Sequence, residues 1–112
     1  SDLAFPRSLE ERSKTDGWTP LMFAAASNEN YMAAQTLIDA GADVNARDNN
    51  GNTVLMNAAK NSKEPNVLLI LLSAGASLYA RNTAGKTAFD YAAQNQNPAL
   101  LQMLNDYRDG KY

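Results

Sequence analysis

The chain has 112 residues and a net charge of −2, enough for one domain around one continuous core and lacking the cationic excess of a surface that tracks phosphates. Cysteine is absent, which removes disulfides and thiolate chemistry and leaves reducing and exported compartments equally open. The longest apolar run, Val67 to Leu72, falls far short of the roughly 18 residues of a membrane span.

The sequence starts at Ser1 without a methionine, compatible with a trimmed leader or a longer parent chain. Ser8-Leu9-Glu10-Glu11 fits a capping box that starts a short helix; alternatively, Leu9 to Asp16 is the tail of a degenerate repeat. On either reading Leu3, Phe5 and Leu9 can cover the open side of the first helix pair. Gly17 predicts a sharp turn, and Thr19 and Pro20 an N-cap and first helical residue. The helix passes through the double alanine Ala24-Ala25, small enough for close approach by a neighbour. The polar stretch Ser27 to Asn30 separates it from a second helix, apolar at Ala33, Ala34, Leu37 and Ile38 with polar Gln35 and Asp39 between. Ala40-Gly41 stops that helix, and Ala42 to Ala46 runs extended into the next turn.

The same order then recurs. Gly51, Thr53, Ala58-Ala59, the polar stretch Asn61 to Glu64, Pro65 and Ala74-Gly75 mark a second unit, with Ala76 to Ala80 as its link. Gly85, Thr87, Ala92-Ala93, Asn95 to Asn97 and Pro98 mark a third, which lacks a matching glycine stop and runs through Asn105-Asp106-Tyr107 into a polar tail. Gly17, Gly51 and Gly85 share one 34-residue step with Thr19, Thr53 and Thr87, and with Arg47 and Arg81. Such a period signals stacked supersecondary units that bury a core only against one another. The units span 17–50, 51–84 and 85–112, with 1–16 as a cap or partial repeat. Gln94, Asn95, Gln96, Asn97, Gln102 and Asn105 give the last unit a polar end.

The TPLMFAA of Thr19 to Ala25, the LIDAGADVNARDNNGNT of Leu37 to Thr53 and the GKTAFDYA of Gly85 to Ala92 resemble ankyrin repeats over about residues 14 to 107. The resemblance implies an all-α solenoid of stacked antiparallel helix pairs with projecting turn fingers. It also implies a non-enzymatic module that binds protein or peptide partners along finger tips and inner helices. The chain departs from the family at the position after Thr-Pro-Leu, where Met22, Met56 and Asp90 replace a frequent histidine; methionine is expected to substitute in the core. Two units have 34 residues rather than 33, and the spacing of Thr53 and Thr87 to the following prolines puts the extra residue in the interhelix loop.

The expected contact residues on the fingers are Lys14, Thr15, Asp16 and Trp18 in the first unit, then Asp48, Asn49, Asn50 and Asn52, then Asn82, Thr83 and Lys86. Lys60, Asn61, Gln94 and Asn95 join them from the inner-helix side. Trp18 is either a binding anchor or, as the preferred reading, a ring packed over its own turn. Asn57 lies in register with Phe23 and Tyr91, suited to bonding a backbone group of the finger. Asn45 is read as bonding the adjacent turn backbone rather than as a hydroxylation site. Arg47 and Arg81 are expected to form surface ion pairs. Leu69 corresponds to Gln35 and Gln102 and is expected to face outward, a minority reading being a dimer or docking contact there.

Without histidine or cysteine the commonest general base and nucleophile are missing. The carboxylates Glu29, Asp39, Asp43, Glu64, Asp90 and Asp106 are dispersed, and the glycines follow the repeat rather than a phosphate loop. The sequence therefore reads as a monomeric protein- or peptide-binding module, with no enzyme activity, cofactor, metal, nucleic acid or membrane partner. The alternative is a regulatory or structural segment whose repeats contact another part of a larger protein. A designed consensus array is disfavoured by Asn57, Tyr79 and Ala84.

Overall fold

The computed structural model describes residues 10–27 and 32–112. Ser8, Leu9, Leu3 and Phe5 lie outside the described residues, so the expected N-terminal helix start and cover cannot be assessed there; Glu10 to Asp16 run as turns and loop. Six helices follow among the described residues: α1 (Pro20–Ala26), α2 (Met32–Asp39), α3 (Val54–Asn61), α4 (Pro65–Ser73), α5 (Ala88–Gln94) and α6 (Pro98–Arg108). They pair as α1 with α2, α3 with α4 and α5 with α6, and the pairs stack so that α3 touches both α1 and α5 while α4 touches α2 and α6. Among the described residues the stack is all-helical apart from one isolated antiparallel bridge between Arg47 and Thr53.

Each first helix starts on its threonine. Thr19 and Thr53 accept from the amides of Met22 and Met56 at 3.4 and 3.2 Å. In return, the Met22 and Met56 sulfurs accept from the amides of Thr19 and Thr53 at 3.5 and 3.4 Å. In the third unit Asp90 Oδ2 takes that role, accepting from Thr87 N–H at 2.9 Å. Methionine thus substitutes as expected, and it does so as an acceptor in a capping box as well as by filling space.

Leu21, Leu55, Leu68, Leu71, Leu100 and Leu104 line one interior with Ala25, Ala58, Ala59 and Ala92, all buried, and Phe89 packs half-buried against its edge. The alanines let α1, α3 and α5 come close. Leu69, expected to face outward, is half-buried and packed against this core.

Two expectations about helix ends are corrected. The loops after α3 and α5 are both three residues, and the extra residue of the second unit lengthens α3. Ser62 N–H reaches Ala58 O at 2.8 Å, a full helical bond, whereas Asn95 N–H reaches only Ala92 O. The third unit does have a glycine stop, displaced outward: Gly110 takes φ 78°, Gly110 N–H bonds Tyr107 O, and Lys111 N–H bonds Asp106 O. The same paired bonds close α2 at Gly41 and α4 at Gly75, so α6 is a longer version of the same design.

Candidate binding surface

The fingers are small turns closed by one side chain each. Ser13, Asp48 and Asn82 donate their amides to the carbonyls of Trp18, Asn52 and Lys86 at 2.9–3.0 Å. Their side-chain oxygens accept from the amides returning across the turn: Ser13 Oγ from Trp18, Asp48 Oδ1 from Asn50 and Asn52, Asn82 Oδ1 from Ala84 and Lys86. These are Asx-type turns, in which a short polar side chain replaces a backbone acceptor. The first finger is one residue longer than the others, so Arg12 and Ser13 take the roles of Arg47 and Asp48.

Neighbouring fingers are stitched together. Asn49 N–H donates to Asp16 O at 2.9 Å, and Thr83 donates to Asn50 O from its amide at 3.3 Å and its hydroxyl at 2.8 Å. Arg47 Nη1 donates to Gly51 O at 3.0 Å and to Arg81 O at 2.7 Å; Arg12 Nη1 likewise reaches Gly17 O and Arg47 O. The expected ion pairing of Arg47 with a carboxylate is replaced by a guanidinium bridge to carbonyls of two fingers. One guanidinium nitrogen, Nη1, donates both of these bonds.

Beneath the fingers lies a polar cluster. Asp48, Asn52 and Asn57 are all buried. Asp48 Oδ2 accepts from Trp18 Nε1 at 3.1 Å and from Asn57 Nδ2 at 3.3 Å, so Asn57 bonds the finger through a side chain rather than through backbone. Asn82 Nδ2 donates to Asn52 Oδ1 and to Tyr91 Oη, both at 2.6 Å. No buried side-chain polar atom among the described residues lacks a partner, as a low-dielectric cluster requires. Asn45 also reaches further than expected: it brackets the next unit, donating to Gly75 O at 3.1 Å and accepting from Ser77 N–H at 2.9 Å.

The candidate contact residues therefore fall into two groups. Lys14, Thr15, Asn49, Asn50, Thr83 and Lys86 are exposed at the finger tips, and Lys60, Asn61 and Gln94 are exposed on the inner-helix side. Asp16, Trp18, Asn82 and Asn95 are half-buried, while Asp48 and Asn52 are buried and occupied within the scaffold. Asn95 Nδ2 donates to Ala59 O at 2.9 Å and Ser62 O at 2.8 Å, tying α5 to α3.

Two aromatic residues absent from that set stand on the same face. Phe23 is 52% exposed, its ring 5.0 Å from that of Trp18 and tilted by 59°, within the edge-to-face range. The pair borders an open cleft of about 420 Å³ completed by Glu11, Arg12, Ser13 and Pro20. Tyr91 lies two units along, with Lys60 Nζ 5.8 Å and Lys86 Nζ 6.0 Å from its ring centroid. The available signal was positional: Phe23 and Tyr91 hold the same place in α1 and α5, four residues after the capping threonines Thr19 and Thr87.

A sequence model of ankyrin repeats, in three copies, matches residues 4–82. The chain belongs to the ankyrin-repeat family. A stretch of 35 residues is 57% identical to part of the human (Homo sapiens) fibronectin type 3 and ankyrin repeat domains protein 1, covering 31% of this chain and 10% of that protein. No helix among the described residues is long and apolar enough to cross a membrane. Ankyrin repeats are generally protein-interaction modules and typically non-enzymatic.

Proposed function

We propose that this ankyrin-repeat chain is a monomeric, non-enzymatic module that binds a protein or peptide across its fingers and first-helix row. The observation that carries the reading is the division of labour on that face. Backbone positions and buried side chains are cross-linked from unit to unit, while Lys14, Phe23, Asn49, Lys60, Lys86 and Gln94 stand off the same rigid frame with different chemistry in each unit. Contacts made on a pre-ordered frame lose little entropy on binding, and a few exposed aromatic residues supply anchors.

The test is affinity capture from the source organism followed by hydrogen exchange on the recovered complex. Protection is expected over the fingers and α1, α3 and α5. Protection confined to the outward sides of α2, α4 and α6 would refute the assignment.

A further inference from the structure

We propose that the partner segment is an extended acidic peptide, with an apolar side chain seated on Trp18 and Phe23 and an Asp or Glu carboxylate bound between Lys60 and Lys86 over Tyr91. The inference rests on the peptide-binding reading above and names the chemistry of its ligand.

Charge carries the argument. In a chain of net charge −2, Lys60 and Lys86 come from different units yet converge on one ring. Their two ammonium groups are therefore no more than about 12 Å apart. Among the described residues neither forms a salt bridge; the pairs that do form are Arg108–Asp109 and Lys111–Asp106, on and beyond α6. Two acids make hydrogen bonds of their own. Asp48 is buried beneath the fingers with Trp18 and Asn57 on Oδ2, and Asp90 accepts from the Thr87 amide.

Like charges held beside one aromatic ring repel each other, and a carboxylate placed between them converts that repulsion into two charge-assisted contacts. The Tyr91 ring holds the lysine heads through its quadrupole. Its hydroxyl is already tied to Asn82 at 2.6 Å, so the ring is fixed in place. At the other end the Trp18–Phe23 pair borders a cleft of about 420 Å³, and Phe23 is half exposed.

The stack sets the spacing between the two sites. Phe23 is on α1 and Tyr91 on α5, with α3 between them. Adjacent packed helices are about 8–10 Å apart, which separates the sites by roughly 16–20 Å. An extended chain advances about 3.3 Å per residue, so the apolar side chain and the carboxylate should be about five or six residues apart.

The experiment uses the whole chain and synthetic peptides bearing one leucine or phenylalanine and one glutamate, two to eight positions apart in a polar background. Emission of the sole tryptophan, Trp18, and polarisation of a labelled peptide are independent readouts. Affinity is expected to peak at a spacing of five or six and to weaken with added salt. Replacing the glutamate by glutamine, or introducing Lys60→Gln with Lys86→Gln, should weaken binding about tenfold, and Phe23→Ser should do so independently. Indifference to the glutamate at every spacing, or unchanged affinity in the double lysine variant, overturns the proposal. So does a thymidine oligonucleotide that outcompetes every glutamate peptide, since the site would then select phosphate. If a captured natural partner still protects the fingers and first helices while these peptides fail, the ligand chemistry is wrong and the surface assignment survives.

Discussion

Trp18 and Asp48 join the first two fingers through an indole N–H bond of 3.1 Å to a carboxylate oxygen that also receives the Asn57 carboxamide. The bond makes the lone tryptophan part of the scaffold, tied to the second finger and set against Phe23 of α1 rather than packed over its own turn. Asp48 thus collects four donors, two backbone and two side-chain, at a buried position.

Asp48→Ala should destabilise the chain by about 2–4 kcal/mol, because it strips the partners from buried donors. Asp48→Asn should cost less, about 1–2 kcal/mol: it keeps the turn acceptor, as Asn82 does, but turns an NH₂ toward the Trp18 and Asn57 donors. Urea unfolding followed by Trp18 fluorescence measures both; equal stability of all three proteins would contradict the latch.

Gly17→Ala and Gly85→Ala form a matched pair. Both glycines have positive φ, 74° and 78°, which costs an alanine about 1 kcal/mol. A Cβ at Gly17 would meet Asn49 Oδ1 at 2.4 Å, whereas at Gly85 nothing lies within 4 Å. The exposed Asn49 side chain can swing aside but its backbone nitrogen, 3.2 Å from that Cβ, stays, so the Gly17 variant should be the less stable by up to about 1 kcal/mol, read as a difference in urea midpoint at constant slope.

Asn95→Ala should behave as a structural lesion despite its place on the candidate surface. It unpairs Ala59 O and Ser62 O from the amide that spans α3 and α5, at about 1–3 kcal/mol. The adjacent, exposed Gln94→Ala should stay within about 0.5 kcal/mol. Hydrogen exchange is expected to quicken in α5 and α6 of the first variant and to remain unchanged in the second.

Met56→Leu should cost less than about 1.5 kcal/mol, because volume is conserved and only the sulfur acceptor for Thr53 N–H is lost. Met56→Ala adds a cavity in the middle unit and should cost about 2–5 kcal/mol. Thermal unfolding distinguishes the two; comparable losses would mean that the sulfur, not the packing, matters most.

The elements were legible because their signals are local and repeated. A threonine before Pro20 or Val54 and a glycine at φ 103° after α2 and α4 act within a few residues, and the period multiplied each signal. What lay beyond reach were bonds between units. Arg47 looked like half of an ion pair because Asp48 is its neighbour, yet its acceptors are Gly51 O and Arg81 O. Asn52 looked like a tip residue until stacking placed Asn82 against it at 2.6 Å. Turn chemistry explains an asparagine in a loop whether or not a partner waits 30 residues away, so composition there says little. Phe23 shares one concave-side row with Asn57 and Tyr91, but a row position does not tell an exposed ring from a packed one, and Phe23 is the exposed member while Asn57 is buried.

Arg47, Asn95 and the donor arm of Asn45 draw on backbone carbonyl oxygens, which every residue type possesses. Swapping the amino acid at Gly51's neighbour Asn50, or at Lys60, leaves those acceptors in place. Anyone wishing to retarget the molecule can randomise Lys14, Phe23, Asn49, Lys60, Lys86 and Gln94 together, provided that Asp48, Asn52, Asn57, Asn82 and Asn95 are held constant; a library that ignores this partition will spend most of its diversity on unfolded clones.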